Sequence, residues 1–408
     1  MLIIRATSDC FVLRIGLLKK MVDQPMTDSR RTIVHVFLSP IQHESRLVKE
    51  ARSILAANIV HHICVFGIWR KGLSELETLE PGLIVRRIHL RSGNWPNWLI
   101  FQAFKYLEWS LKIVRRIGKE IPIVVHAHSL AALPVAVLAK LMHGFPIVYD
   151  AHELETERTG LRGIRRWLAR TTECLLIRRA DEIMVVSDGI ADWYSRVYRI
   201  PRPHVVRNVP LAAMSNRNTS ELREKCGIGK SEILFLYLGV IGPGRSIERL
   251  CRVFSRASSG RHLVFLGYGA LEGLVHDFSR EYPNIHFVEA VPPSEVASNL
   301  RSADVGICLI ENVSMSYWLS LPNKLFQCLA EAVPVMINDL PEQVRFVKDF
   351  QCGWIVPPTD ESLLQLIDSI GRKDIEVYKN GALQAAETLN WDDEIVPYVD
   401  FCRRGIVS

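Results

Sequence analysis

The chain has 408 residues, 48% of them hydrophobic, which suits two domains with sizeable cores. Its nine cysteines form no C-x-x-C pairs and have no histidines at zinc spacing, which excludes a disulfide framework and a structural metal site and implies reduced thiols in a cytoplasmic protein. The net charge of +6 is unevenly divided: residues 1–210 hold 31 Lys and Arg against 19 Asp and Glu, and the remainder 19 against 25, so the first half suits an anionic partner.

In chain order, residues 1–30 read as an N-terminal extension outside the fold. Arg5, Asp9, Arg14, Lys19 and Lys20 break any signal-peptide core, and Met21 and Met26 offer later starts. Residues 31–210 alternate strands (32–38, 62–66, 83–88, 122–128, 146–150, 182–187, 204–208) with helices (45–57, 131–142). The apolar run 121–142 contains His126, His128, Pro134 and Lys140, so it reads as strand, loop and packed helix rather than a membrane span. Two further helices, 105–119 and 161–170, are basic and amphipathic, and Trp95, Trp98, Phe101 and Phe104 precede the first. That pattern fits a seat on an anionic membrane surface as well as it fits a solvated helix with aromatics turned inward. No nucleic-acid-binding module is present.

The polar stretch 214–220 reads as a linker. A second domain, 211–385, then carries strands at 232–239, 262–266, 285–289, 305–310 and 333–337, and residues 386–408 read as a closing helix that packs back toward the first domain. Strands alternating with helices predict an α/β protein with two parallel, doubly wound sheets. Ligands of such sheets bind at strand carboxyl ends, so two facing domains place a cleft between two sets of ends.

The second domain offers an anion site. Pro322 suits a first helical turn, where free N–H groups attract anions, and Lys324 adds a mobile charge. The turn 239–246, with Gly239, Gly242, Gly244 and Arg245, lets backbone approach a phosphate while Arg245 donates forked hydrogen bonds. It is neither a Walker A loop nor G-x-G-x-x-G. Gly267 and Gly269 follow another strand end.

In order and spacing, these pieces resemble the donor-binding domain of glycosyltransferase family 4, across 232–360. His126-Ala127-His128 and the strand end 149–153 resemble that family's histidine-bearing strand ends, and 45–51 its first long helix. The resemblance implies the GT-B fold, two Rossmann-like domains facing across a cleft, and retaining transfer from a UDP- or GDP-linked sugar without metal or cofactor. Arg245 and Lys324 would hold the diphosphate. Gly239, Gly242, Gly244, Gly267, Ser320, Leu321, Asn323 and Gln327 would line the donor site, and Ala290 and Val291 would clasp the base. His128 would face the transferred sugar, with His152 and Glu153 on the acceptor side. The acceptor would be a glycan, lipid-linked or part of a growing surface polysaccharide, and the protein cytoplasmic, peripheral on the cell membrane.

The chain departs from that family at Leu319 and Gln327, where two glutamates are usual, at Val240 and Ile241, at 39–44, and at Ala332-Val333. These departures keep open a non-catalytic partner of the same fold and a nucleotide-sugar epimerase. Glu311 reads as the end of a strand. Glu153, Glu155 and Glu157 read as a solvated loop, with acid/base roles as the alternative. His61, His62, His89, His143, His262, His276 and His286 read as surface or satisfied core residues.

Overall fold

Short runs of Val, Ile and Phe, apolar on both faces, build strands that are covered on both sides. In the computed structural model, which describes residues 31–42, 44–211 and 222–407, they form two sheets. The expected extension at 1–30 and linker at 214–220 lie outside the described residues.

The first sheet contains β1 (Thr32–Phe37), β2 (His62–Ile68), β3 (Leu76–Glu80), β4 (Leu83–Ile88), β5 (Val124–His128), β6 (Ile147–Ala151), β7 (Glu182–Val185) and β8 (His204–Val205), in the order β3-β4-β2-β1-β5-β6-β7-β8. Only the edge strand β3 is antiparallel. Its half-exposed, glutamate-bearing sequence gave too weak an apolar signal to be expected. The connections are α1 (Ser45–Ala56), α2 (Leu99–Glu120), α3 (Leu133–His143), α4 (Gly163–Leu176) and α5 (Asp188–Tyr198). From β4 through β8 the chain steps one way across the sheet, so right-handed crossovers stack α2 to α5 on one face; the step from β1 to β2 runs the other way and puts α1 opposite. Trp109 and Ile113 of α2 and Tyr194 of α5 fill the core on the first face, and Leu47 and Ile54 of α1 that on the second.

The second sheet is wholly parallel, in the order β11-β10-β9-β12-β13-β14, from β9 (Ile233–Val240), β10 (Arg261–Tyr268), β11 (Ile285–Glu289), β12 (Val305–Cys308), β13 (Val335–Ile337) and β14 (Gly353–Ile355). Its helices are α6 (Leu222–Lys225), α7 (Ile247–Phe254), α8 (Glu272–Glu281), α9 (Pro293–Arg301), α10 (Met315–Trp318), α11 (Asn323–Ala330), α12 (Pro341–Phe350), α13 (Asp360–Ser369) and α14 (Arg372–Thr388). β13 starts at Val335 rather than 333, because Ala332 turns the chain with φ at +57° before Pro334.

The expected single closing helix is two, α15 (Trp391–Glu394) and α16 (Val396–Val407), broken at Ile395. They lie on the α1 face of the first domain, where Trp391 Nε1 donates to Ser53 Oγ at 2.8 Å and the Tyr398 hydroxyl meets His35 Nε2 at 3.2 Å. The apolar run 121–142 is β5 followed by the 11-residue α3. Among the described residues no helix is long and apolar enough to cross a membrane. The eight described cysteines are free thiols, six of them buried.

Each sheet reverses its winding once, between β1 and β5 and between β9 and β12. Those switch points are where doubly wound sheets bind ligands. Contacts across the cleft join them: Ser316 Oγ donates to Glu153 Oε2 at 3.3 Å, Arg345 pairs with Asp188 at 2.9 Å, and Ser187 Oγ donates to the Leu319 carbonyl at 2.6 Å.

Candidate functional site

On the first domain, strand register assembles a histidine cluster. β1 pairs with β5 so that His35 stands beside His126, and β5 with β6 so that His128 stands beside Asp150. His126 and His128, two apart on one strand, share a face, and their rings stack 4.2 Å apart. From α1, Arg46 and Glu50 point into the same space, four residues apart. All six side chains are buried.

Arg46 holds Asp150 with two hydrogen bonds, at 2.8 and 2.9 Å. Burial alone would raise the Asp150 carboxyl, but the Arg46 charge and the histidine contacts hold it well below the usual range. Glu50 lies 3.0 Å from Arg46 yet has no hydrogen-bond partner, and burial together with the Asp150 charge pushes its carboxyl well up. Burial depresses His128 to about 4, and burial and neighbouring rings depress His35 and His126 as well, so these three are neutral.

Neutral rings can relay hydrogen bonds, and these do. Tyr398 meets His35, whose Nδ1 meets His128 Nε2 at 2.8 Å, and His128 Nδ1 meets His152 Nε2 at 3.1 Å. His152 Nε2 also lies 3.0 Å from Asp150 Oδ2. His128 is therefore fully covered, and His152, with a quarter of its side chain exposed, is the member of the chain presented to the cleft. Two groups here have ligand atoms near enough for one cation, His35, Glu50, His126 and His128, and His128, Asp150 and His152. Arg46 already supplies the positive charge there; the ring nitrogens of His35 and His128 are engaged with Tyr398, with His152 and with one another, while both nitrogens of His126 have no partner, so the chain from Tyr398 to His152 works as a positioning network.

Glu153 is paired with Arg158 at 3.0 Å and reaches Ser316. Glu155 is buried, contrary to the solvated loop expected: a short 3₁₀ turn, Glu155–Glu157, tucks it inward, and burial lifts its carboxyl to about 8.

On the second domain, Lys324 lies in the first turn of α11, with Pro322 as the preceding cap residue. Its ammonium is buried 3.9 Å above the Tyr237 ring, has no hydrogen-bond partner, and is depressed by burial to about 8. Arg245 acts on the same two groups, lowering Tyr237 and Lys324. Neither cation has a carboxylate partner among the described residues. Tyr237, whose place inside an apolar strand carries no motif to mark it, fixes the site by donating to the Val240 carbonyl at 2.7 Å.

The glycines divide by role. Gly239 has φ of +112° with open space where a side chain would go, and Gly244 has φ of +76°, so both shape the turn. Gly242 has room for a Cβ. Gly267 serves packing, since a Cβ there would fall 1.8 Å from the Gly239 carbonyl oxygen. Glu311 does more than end a strand: its Oε1 accepts from the Ser246 N–H at 3.0 Å and its N–H donates to the Gly244 carbonyl at 2.9 Å, pinning the turn. At the far side Ala290 is exposed and Val291 half-buried after β11.

Around α11, Asn323 is exposed and Gln327 half-buried, Leu321 is buried, and Ser320 donates to the Tyr317 carbonyl at 2.9 Å. Leu319 packs against the core of the first domain and lies over Gly189, not in the donor site. His262 and His286, expected to lack partners, meet at 3.1 Å across β10 and β11.

Residues 47–209 match the Glycosyl transferase 4-like domain. Over 258 residues the chain is 26% identical to alpha-maltose-1-phosphate synthase of Mycolicibacterium smegmatis, covering 57% of this chain and 64%, under two thirds, of that protein. Its fold is similar to that of sucrose-phosphate synthase of Thermosynechococcus elongatus, with a TM-score of 0.76 at 15% identity, over 93% of this chain and 100% of the other. It is also similar to Anabaena HepE in complex with UDP-glucose, with a TM-score of 0.69 at 14% identity, over 91% and 98% of the two chains. The fold is GT-B.

Proposed function

We propose that this chain, a GT-B protein of glycosyltransferase family 4, moves a sugar from a nucleoside diphosphate to an acceptor in the cleft. The observation that carries the reading is Lys324: a buried ammonium with no partner, at the start of a helix and beside Arg245, is built for an anion that is not part of the protein. A diphosphate supplies two charges for two cations.

In this reading the bond from the anomeric carbon to the β-phosphate oxygen breaks, and Lys324, Arg245 and the N–H groups that open α11 stabilise the charge left on the diphosphate. Ala290 and Val291 flank the base. Gly239, Gly242 and Gly244 give the phosphates room, and Ser320, Asn323 and Gln327 border the sugar and ribose. His152, steadied by Asp150 and His128, hydrogen-bonds the sugar or its acceptor from the opposite domain, with Glu153 beside it. Among the described residues the carboxylates there, Asp150 and Glu153, are paired with Arg46 and Arg158, which favours front-face transfer with retention; the transfer is taken as metal-free. The acceptor is taken as a lipid-linked or surface glycan, at the cytoplasmic face of a membrane.

Titration with UDP and GDP tests this. One diphosphate is expected to bind tightly to the wild type and to be lost in Arg245→Ala/Lys324→Ala. Binding of neither, or equal binding by the double variant, would remove the reading. A second reading, nucleotide binding without transfer, is favoured by Leu319, which spends the place of a sugar-contacting glutamate on a domain contact. Diphosphate binding with no sugar released in any acceptor screen would select it.

A further inference from the structure

α4 turns its apolar side outward. Its one buried side chain is Glu173, a carboxylate that accepts hydroxyl hydrogen bonds from Tyr149, Tyr194 and Tyr198. Residues 162–168 are all exposed, including Ile164, Leu168 and Trp167, the last at 61%. The entry to α2 repeats the pattern: residues 93–100 are all exposed, with Trp98 at 72%. α2 and α4 follow the carboxyl ends of β4 and β6 and flank α3, so both tips project on the cleft side of one helical layer. Arg162, Arg165 and Arg170 stand among them with no carboxylate partner among the described residues. Exposed apolar groups on this scale mark a binding surface. Two separate tips, each bearing an exposed tryptophan and the α4 tip also arginines without carboxylate partners, match a fluid anionic bilayer, which closes around both without a shaped counterpart.

A cavity of about 230 Å³ opens between the start of α4 and the loop that follows β12. Arg158, Arg162 and Arg166 line one wall, and Val313, Ser314 and Met315 the other. Arg158 and Arg166 are balanced by Glu153 and Glu157, which leaves the Arg162 charge in excess. Val313 backs directly onto Gly244 of the glycine turn, so one loop separates the cavity from Arg245.

We infer that the acceptor is an anionic membrane lipid that carries phosphate: the tips of α2 and α4 lodge in the bilayer, and the arginine-walled cavity receives the lipid phosphate, leaving the group beyond it at His152 and Glu153. This rests on the transferase reading above.

The test is sedimentation with vesicles of phosphatidylcholine, alone or mixed with phosphatidylglycerol. The wild type is expected to sediment with the mixed vesicles and to stay behind with phosphatidylcholine alone. Trp98→Ser/Trp167→Ser should lower partition at least tenfold, with diphosphate affinity unchanged. Arg162→Ala/Arg166→Ala, with a circular dichroism spectrum like that of the wild type, should lower it at least threefold. Inorganic phosphate at the lipid phosphate concentration should release nothing. The inference is overturned if the wild type ignores mixed vesicles, if either variant partitions like it, if free phosphate displaces it, or if the tryptophan variant only dissolves a self-associated form. Vesicle binding as expected with no UDP or GDP binding would keep the membrane seat but discard the transferase reading and, with it, the lipid's role as acceptor.

Discussion

Ser187 ties Leu319 to the opposite domain: its hydroxyl donates to the Leu319 carbonyl at 2.6 Å while accepting from the Ile190 N–H at 3.3 Å as the cap of α5. One side chain thus starts a helix and holds the donor-side loop across the cleft. The Leu319 side chain completes the joint over Gly189, whose absent Cβ would sit 2.9 Å from both Leu319 Cδ2 and Glu342 Oε1.

Leu319→Glu is expected to weaken this joint rather than supply a sugar contact. The new carboxylate would be pressed against Glu342 and the apolar core behind Gly189, a loss of about 1–3 kcal/mol. Ser187→Ala should lose about 1–2 kcal/mol through the cap and the hydrogen bond. Thermal melts and small-angle scattering check both; a melting temperature unchanged in Leu319→Glu, with higher sugar transfer, would contradict the assignment.

Lys324 makes diphosphate affinity fall at alkaline pH. Its ammonium deprotonates near pH 8 in the free protein, so affinity should be flat below that value and drop about tenfold per pH unit above it. In Lys324→Met, calorimetry across this range should show no such slope and an affinity lower by about 10- to 100-fold.

Glu155 should make the first domain less stable as the pH rises. Folded, it holds its proton to about pH 8; unfolded, it loses it near 4.5. Between those values the folded chain binds more protons, so stability declines from pH 4.5 to 8 by on the order of 3–5 kcal/mol and then levels. Glu155→Gln, still able to accept the Leu130 N–H, should flatten that decline in denaturant titrations.

Asp150→Asn is expected to cost about 1–3 kcal/mol: the buried Arg46 loses its two-bonded carboxylate, and with the Asp150 charge gone Glu50, 3.0 Å from Arg46, is freer to ionise and take over part of that pairing. Diphosphate binding, which belongs to the other domain, should stay within about twofold of wild type wherever the variant is folded. A parallel collapse of both would show that the histidine cluster holds up more than its own domain.

Much of the fold was readable from local pattern. Gly239 to Gly244 and Pro322 with Lys324 are contiguous signals, and they meet at Tyr237 because β9 and α11 each place one end there. The histidine cluster was only half readable: His128 and His152 stand at strand ends, but Arg46, Glu50 and Tyr398 join them through register and through a helix far away in the chain. Local periodicity carries no information on such partners. For the same reason Leu319 read as a lost donor contact, since its new neighbour Gly189 belongs to the other domain. Glu155 read as solvated because a three-residue turn leaves almost no periodic trace.

The placement of α16 has a consequence for the birth of the chain on the ribosome. Its Tyr398 closes over His35, yet about 190 residues separate α16 from the end of the first sheet. At roughly 5–20 residues per second, the first sheet waits about 10–40 s, with His35, His126 and the open face of α1 uncovered, before its last layer is made. The lag coincides with synthesis of the whole second domain, so the nascent first domain is the stage at which a chaperone has most to shield.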